Sequence, residues 1–436
     1  MSALPPSTET DLPSGDAQQL ASAVEARATW GRYLLLLFAD VGCRGLRFVA
    51  DVVLVRHFNP ETIGQLNLSQ SLAVQGMGLS TCGLDTAGTR AVAAGTVAPA
   101  RMAATVVMLR LVLGMIAWGI VTGLALLVPK YHAIFQLTAL YGLSIITGAL
   151  TIGWVAQARN RMHVVALAAI ATHLGYFGGV ELTAHAGWPP VAVPLLLALS
   201  EGLTAAALWG WLLLTCGPMS GDLPRPDALR FLRDSLPIGG ATYLRMLTIG
   251  SDVLLLGLFV GDAEVGLYST GFKLYSLGIS LIALYLTVLL PQLATVAAHD
   301  PRSVTAATNV ALRRALLVTA VATPLAMFFA ENVLQLLFGA PFAAAARPVQ
   351  ILFLAWPAHL IAGHFRTALL ALGRQGQDLR LVVAAALAHV AAKLCLIPWL
   401  GIKGAAWGTL AGEIVLMLLA WQSCNAISRH LSSRRS

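Results

Sequence analysis

Long apolar stretches recur along almost the whole chain, and short polar segments separate them. Each stretch holds about 20 residues or more, which is the length that a helix needs to cross the ~30 Å hydrocarbon core of a bilayer. The pattern therefore predicts an all-α polytopic membrane protein with twelve spans. These lie near 33–55, 62–82, 106–129, 133–157, 163–184, 190–215, 237–260, 266–292, 310–330, 347–372, 379–399 and 404–427.

Basic residues are distributed unevenly between the segments that connect these spans. With the N-terminus placed inside, 17 basic residues fall on inside segments and 4 on outside loops. Lysine and arginine are retained on the cytoplasmic side of a membrane. The distribution therefore supports twelve spans with both termini in the cytoplasm, since one miscounted span would mix the two sets.

The composition excludes a water-soluble protein of this size. Charged residues make up only 11% of the 436 residues, whereas soluble proteins carry about 25%. The net charge of +8 follows in large part from retained cytoplasmic arginines, so it does not indicate nucleic-acid binding. None of the five cysteines lies in a predicted outside loop, so no structural disulfide is expected. The first 31 residues lack the features of a signal peptide.

An internal repeat divides the chain into two halves, separated by the polar segment 216–235. Arg44, Asp51 and Phe58 recur as Arg245, Asp252 and Phe259 at one offset of 201, and Glu201 and Trp209 recur faintly as Glu413 and Trp421. An even number of spans in each half makes both run the same way, which predicts two pseudo-symmetric six-helix bundles around a central cavity. The expected division is a cytoplasmic tail over 1–31, an N-terminal lobe over 32–215, a cytoplasmic linker over 216–235, a C-terminal lobe over 236–428 and a tail over 429–436.

Ionisable residues lie inside several predicted spans, where each costs at least about 2.5–3.5 kcal/mol to insert and usually faces protein or water. The basic candidates for substrate binding are Arg44, Arg47, Arg245, Lys273, Arg366 and Lys393. The acidic candidates for ion coupling are Asp40, Asp51, Asp252 and Glu413. The first span carries four of these on one face, because they are spaced 4, 3 and 4 residues apart.

Two interpretations of these charges stay open. Asp40–Arg44 and Arg47–Asp51 are i,i+4 pairs of opposite sign, and simple ion pairs of this kind let a polar helix enter the membrane. Alternatively, the six bases outnumber the three aspartates on the same spans and line a net positive cavity. Guanidinium groups bind phosphate and carboxylate, so a positive cavity implies an anionic substrate. Asp252 is the favoured site of proton exchange, because one arginine shares its face and two share that of Asp51.

Sequence motifs for nucleotide binding and for catalysis are missing from the chain. It has no G-x-x-x-x-G-K-[ST] loop for nucleotide phosphates, no H-E-x-x-H and no G-x-S-x-G. The histidines show no metal-ligand spacing, and no outside loop is long enough for a catalytic domain. We therefore expect no enzyme activity, no cofactor and no metal, and transport energy must come from an ion gradient, the substrate gradient or a partner.

Five motifs, in order along the chain, resemble the polysaccharide-transporter branch of the MATE/oligosaccharide-flippase (MOP) superfamily. They are VRHFNPETIGQLNLSQS at 55–71, GLDTAGTRAVA at 83–93, DVLLLGLFVGDAEVGLYSTGFKL at 252–274, LLFGAPFAAAARPVQIL at 336–352 and LIPWLGIKGAAWGTLAGEI at 396–414. The last motif departs from the family pattern, because the asparagine that often precedes L-I-P is replaced near Ala392 and Lys393.

This resemblance implies a Wzx-type flippase. Such a protein moves undecaprenyl-diphosphate-linked oligosaccharide across the bacterial inner membrane by alternating access, for O-antigen, capsule or exopolysaccharide synthesis. The implied partners are the lipid-linked anionic oligosaccharide, membrane lipid and polysaccharide-assembly proteins such as a polymerase and a chain-length regulator. Lipid II flippases of the superfamily also use arginines in their first helix, which supports Arg44 and Arg47 by position.

Three other functions are weaker alternatives. A MATE-type ion-coupled exporter of small molecules comes first, and an acidic cavity for cationic drugs would favour it. A major-facilitator transporter would need a different spacing of acid and base in the 83–93 motif. A membrane glycosyltransferase or polymerase would need a large loop with acid and base residues.

Overall fold

The computed structural model describes residues 39–216 and 227–433 of the chain, and every regular element in these ranges is helical. The N-terminal half, 39–216, begins with helix α1 over 39–57. The helices that follow are α2 (Pro60–Thr81), α3 (Leu84–Ala93), α4 (Pro99–Leu127), α5 (Phe135–Tyr141), α6 (Leu143–Leu150), α7 (Gly153–Ala158), α8 (Met162–Ala186) and α9 (Ala192–Cys216).

The C-terminal half, 227–433, contains fewer and longer helices. They are α10 (Ala228–Phe259), α11 (Asp262–His299), α12 (Val304–Phe338), α13 (Ala346–Phe353), α14 (Ala355–Ala371), α15 (Gln375–Leu400) and α16 (Ile402–Ser433). Helix α10 begins inside the segment that the sequence predicts as a linker. Its start is fixed by Asp227, whose carboxylate accepts hydrogen bonds from the backbone of Leu229 and Arg230 at 3.1 and 3.2 Å.

Helical segments coincide with all twelve predicted spans, and the all-α membrane architecture is confirmed. Within the described ranges, eight helical segments are long and apolar enough to cross a membrane. The other four spans fall on α1, α2, α10 and the pair α13–α14. These are more polar, shorter or interrupted.

Two predicted spans are interrupted at matching places in the two halves. In the N-terminal half, a 3-10 turn over Pro129–Ile134 leads into α5, which breaks at Gly142 before α6. In the C-terminal half, a 3-10 turn over Ala340–Ala345 leads into α13, which breaks before α14. A tryptophan lies near each break. Trp118 donates a hydrogen bond to the Ala139 carbonyl at 3.0 Å, and Trp356 donates one to the Tyr275 carbonyl at 3.2 Å.

Helix α2 packs along both α10 and α11, and this line of contacts is the seam between the halves. At the N-terminal end of α2, Gly64 lies against the carbonyl of Asp262, and Gly266 lies against the carbonyl of Pro60. A Cβ atom at either glycine would overlap the facing backbone. Only glycine allows two backbones to approach this closely.

The opposite end of α2 makes a second close contact across the seam. Gly83 has a φ of +77° and packs against the backbone of Gly239 and Ser235 in α10. Since a helix rises about 1.5 Å per residue, the 22 residues of α2 separate these two contacts by roughly 33 Å. The halves therefore meet at both ends of a membrane-length helix.

Polar side chains reinforce the seam near the start of α2. Arg56 donates hydrogen bonds to the carbonyls of Leu336 and Leu337 at the end of α12. Gln65 donates to Asp262 at 3.0 Å, and Asn67 donates to Ser269 at 2.9 Å. A cation at a helix C-terminus also interacts favourably with the helix dipole, so Arg56 stabilises this end of the seam.

Candidate functional site

Asp51 of α1 is shared by two cations. The Lys273 ammonium lies 3.1 Å from Asp51 Oδ1, and Arg47 Nε lies 3.8 Å from Asp51 Oδ2. Lys273 belongs to α11, so this contact crosses the seam, whereas Arg47 lies one turn before Asp51 on the same helix. Two bases thus face one carboxylate in this group. Arg47 is the looser of the two partners, because 3.8 Å exceeds a hydrogen-bond length.

Arg47 faces a cavity of about 360 Å³, which we call the Arg47 cavity. Its guanidinium also lies 4.6 Å from the centroid of the Tyr176 ring, a cation–π contact. The polar lining consists of Arg47, Gln70, Ser71, Gln75, Tyr141, Ser144 and Glu201. A base, an acid and several neutral hydrogen-bonding groups therefore surround this space.

Gln75 is a further candidate binding residue of the Arg47 cavity. Its side chain is buried, and neither its amide nitrogen nor its amide oxygen has a hydrogen-bond partner among the residues that the structure describes. Buried polar atoms are nearly always paired, so an unpaired amide beside a cavity is available to a ligand. Glu201, by contrast, already accepts a hydrogen bond from Thr147 at 2.7 Å. The sequence offered no signal for Gln75, since a neutral amide in a polar span is unremarkable.

Asp252, the repeat counterpart of Asp51, lies in a fully buried cluster. Its Oδ1 pairs with the Lys393 ammonium. Its Oδ2 accepts hydrogen bonds from the Tyr268 hydroxyl at 2.6 Å and the Thr409 hydroxyl at 3.0 Å. We call these four residues the Asp252 cluster. It joins α10, α11, α15 and α16 and leaves Lys393 only 1% exposed.

A second cavity of about 270 Å³, the His389 cavity, lies beside the Asp252 cluster. His359 Nδ1 and Glu413 Oε2 are 3.0 Å apart at its wall. His389 also lines it, and within the described ranges its buried Nδ1 has no hydrogen-bond partner. The ionisable lining groups are Asp252, Tyr275, His359, His389, Lys393 and Glu413. With one lysine against two carboxylates, this cavity has no excess of fixed positive charge.

Two of the sequence-predicted residues form a pair outside both cavities. Arg44 Nε lies 2.7 Å from Asp40 Oδ2, and both side chains are more than half exposed. The i,i+4 geometry predicted for Asp40–Arg44 is therefore confirmed, whereas a role for either residue in substrate binding or ion coupling stays a prediction.

Arg366 also pairs with a carboxylate away from the two cavities. It donates two hydrogen bonds to Asp378, at 2.7 and 3.1 Å, and so joins α14 to α15. The sequence count of six bases against three acids leaves out Asp378, and also Glu201 and Glu413 in the two cavities. The excess of cations is therefore smaller than the sequence suggests.

Arg245 belongs to α10, but its side chain lies outside what the structure describes. Its predicted place in a cationic cavity therefore stays a prediction.

A buried ion pair outside the two cavities explains the 83–93 motif. Arg110 pairs with Asp85 at 3.0 Å and donates hydrogen bonds to the carbonyls of Gly148 and Thr151, at 2.7 and 3.1 Å. It thereby holds α3 against the end of α6. Burial raises the pKa of the Asp85 carboxyl, and the Arg110 guanidinium partly offsets that rise. The contacts indicate a structural role for this pair.

Comparison with known proteins identifies a family and a fold. A family model described as polysaccharide biosynthesis protein matches residues 32–296. No curated protein matches the chain.

Several solved transporter structures share the fold. An inward-facing multidrug resistance MATE family transporter of the MOP superfamily superposes with a TM-score of 0.73 at 16% identity, over 90% of this chain and 96% of that one. The lipid II flippase MurJ, in an inward closed conformation, gives 0.66 at 13% identity, over 89% and 87%. A MOP superfamily transporter from Pyrococcus furiosus, described as having a binding pocket of reverse polarity, gives 0.62 at 15% identity, over 92% and 95%. These likenesses show that the chain has the MOP transporter fold.

Proposed function

This chain belongs to the polysaccharide biosynthesis protein family, and on that premise we propose that it is a flippase for a lipid-linked oligosaccharide. The substrate is an undecaprenyl-diphosphate-linked glycan, which the protein moves from the inner to the outer leaflet of the bacterial inner membrane. The product serves O-antigen, capsule or exopolysaccharide synthesis, together with a polymerase and a chain-length regulator. The family, the MOP fold and the presence of MurJ among similar structures support this proposal.

The observation that carries the proposal is the loosely held guanidinium of Arg47 at the wall of a polar cavity. Lys273 is the closer partner of Asp51, at 3.1 Å, and leaves the guanidinium of Arg47 loosely held at 3.8 Å. An anionic ligand in the Arg47 cavity competes with Asp51 for that guanidinium. A diphosphate fits this role, because its oxygens accept the parallel N–H groups of arginine. Gln75 supplies a further unpaired donor and acceptor in the same cavity.

Translocation follows from the seam between two proposed lobes. The polar glycan and diphosphate gain from a wet cavity, whereas the isoprenoid tail stays in the hydrocarbon beside the protein. Both ends of α2 touch the C-terminal half, so opening to either side of the membrane requires one of the two glycine contacts to separate. We propose both termini in the cytoplasm, which places the Gly64–Gly266 contact at the outer side and the Gly83–Gly239 contact at the inner side.

The experiment compares Arg47→Ala, Arg47→Lys and the control Lys403→Ala in a strain that lacks the native gene. We expect Arg47→Ala to stop glycan display and to accumulate lipid-linked oligosaccharide at wild-type protein abundance. Arg47→Lys rescues only in part, because lysine lacks the planar fork. The exposed Lys403 lies in neither cavity, so Lys403→Ala exports normally. Normal export by Arg47→Ala at wild-type abundance rejects the proposed site.

A MATE-type ion-coupled exporter of small molecules is the second candidate. The His389 cavity favours it, because two carboxylates there outnumber the single lysine and suit a cation. Loss of the gene would then change resistance to cationic compounds and leave lipid-linked oligosaccharide unchanged, the reverse of what the flippase proposal expects.

A further inference from the structure

We propose that the His389 cavity is the proton-binding site of the transporter, with the proton held by His389 and the His359–Glu413 pair. The Lys393–Asp252 ion pair beside it stays charged and holds four helices together. This inference rests on the proposed function only where it couples the proton to glycan transport. The binding of the proton itself is independent of the substrate.

Asp252 does not serve as the exchangeable acid, although the sequence favours it. Both of its oxygens are occupied, one by the Lys393 ammonium and the other by two hydroxyl donors. Protonation of this carboxylate would leave the ammonium of Lys393 buried without a counter-charge, which is strongly unfavourable. The side chains of both members of the pair are at most 4% exposed.

His389 is a polar group of the cavity whose Nδ1 has no partner in the part of the chain that the structure describes. It is 7% exposed, its Nδ1 is buried and unpaired, and its ring lines the cavity. Gly412 of α16 packs directly on the imidazole, where a Cβ would overlap the ring. The ring is therefore fixed in place, and its Nδ1 has no hydrogen-bond partner among the described residues. A polar cavity of about 270 Å³ is roomy enough for water.

The His359–Glu413 pair supplies the second part of the site. An imidazole and a carboxylate 3.0 Å apart share one proton readily and change their joint charge when a second proton arrives. Charged or titratable neighbours of the site come from every helix packed around it. They are Asp252 on α10, Tyr275 on α11, His359 and Arg366 on α14, His389 and Lys393 on α15, and Glu413 on α16.

Two helices connect this site to the Arg47 cavity. On α10, Gly250 lines the Arg47 cavity and Asp252, two residues later, lines the His389 cavity. On α11, Phe272 lines the His389 cavity, and the next residue, Lys273, pairs with Asp51. The cavities therefore lie at one depth on either side of α10. A change of charge in one acts on the helices that shape the other.

Infrared difference spectroscopy of the purified full-length protein in lipid, without substrate, tests proton binding directly. Lowering the pH of the wild type should give bands of a protonated carboxyl and of imidazolium. Glu413→Gln should remove the carboxyl band, and His389→Gln should reduce the imidazolium bands. His364→Gln is the matched control. His364, on α14, is buried like His389, but it is hydrogen-bonded to the Tyr285 hydroxyl and the Leu360 carbonyl outside the cavity. Its carboxyl band should match the wild type.

Export from inverted vesicles, with and without a pH gradient, tests the coupling. The pH gradient should accelerate glycan export by the wild type. In His389→Gln and in Glu413→Gln this acceleration should be at least about fivefold smaller. Carboxyl and imidazolium bands that persist in both variants, or a full gradient response by both, would overturn the proton site. Wild-type protein that binds the proton but exports no glycan would instead refute the proposed function and leave the proton site standing.

Discussion

The surroundings of Asp51 and Asp252 differ, although the two aspartates occupy equivalent places in the internal repeat. Asp51 has two basic partners and is partly exposed beside the Arg47 cavity. Asp252 has one basic partner and two hydroxyl donors, and it is buried. The aspartate of the N-terminal half thus has a loosely held arginine as one partner, whereas the aspartate of the C-terminal half forms a buried ion pair with one lysine. Partner number and burial, rather than the repeated residue, therefore distinguish the two sites.

Removal of one member of the buried pair should have the largest effect. Lys393→Met leaves Asp252 charged without a counter-charge, and the loss should be about 3–5 kcal/mol of folding stability. Thermal unfolding of the purified protein measures it. The double variant Lys393→Met with Asp252→Asn should recover much of the loss, because no unpaired charge remains. Equal stability of the single variant and the wild type would show that Asp252 is not held by Lys393.

Removal of the lysine that pairs with Asp51 should cost less folding stability. Lys273→Met leaves Asp51 with Arg47 and with partial access to water, so we expect a loss of about 1.5–3 kcal/mol. Thermal unfolding beside Lys393→Met makes the comparison direct. Arg47 would then be the sole base beside Asp51, so export should fall as well. A larger loss of stability than in Lys393→Met would reverse the proposed difference between the two aspartates.

The seam that brings the two regions together should tolerate no added methyl group at Gly266. The Cβ of Gly266→Ala meets the Pro60 carbonyl, and overpacking of this kind costs about 1–3 kcal/mol. Separation of α2 from α11 should also raise the reactivity of a cysteine placed at Gln65. Gly123→Ala is the control, because nothing lies within 4 Å of a Cβ there. Unchanged reactivity in Gly266→Ala would show that this contact does not close the seam.

Arg44→Ala should have the smallest effect on stability. Its pair with Asp40 lies within one helix, and polar pairs in membrane proteins contribute about 0.6 kcal/mol on average. Unfolding measurements on Arg44→Ala and Arg47→Ala should both lie close to wild type, while only Arg47→Ala loses export. If Arg44→Ala abolishes export at normal abundance, the binding region extends beyond the Arg47 cavity.

The helical architecture was predictable from hydropathy because each span carries its own signal. The i,i+4 pairs on α1 were predictable for the same reason, since helix geometry alone brings Arg47 next to Asp51. Contacts between helices were not. Lys273–Asp51 and Lys393–Asp252 join residues far apart in the chain, and no local pattern shows which helices will pack together.

The expected excess of cations was too large for a related reason. Asp378, the partner of Arg366, lies one residue before the predicted start of its span at 379 and was left out of the count. The breaks at Gly142 and Leu354 were missed because apolar residues continue through both of them. Hydropathy reports burial in the membrane but not the continuity of a helix.

Binding of a lipid diphosphate to the purified protein tests the role of the Arg47 cavity most directly. We predict that undecaprenyl diphosphate binds the wild type and that Arg47→Ala weakens binding about tenfold or more, as expected for the loss of a charged hydrogen-bonding partner. Lys403→Ala, outside both cavities, should bind as tightly as the wild type. Equal affinity of Arg47→Ala and wild type, or an equal loss in Lys403→Ala, would contradict the assignment of the diphosphate to the Arg47 cavity.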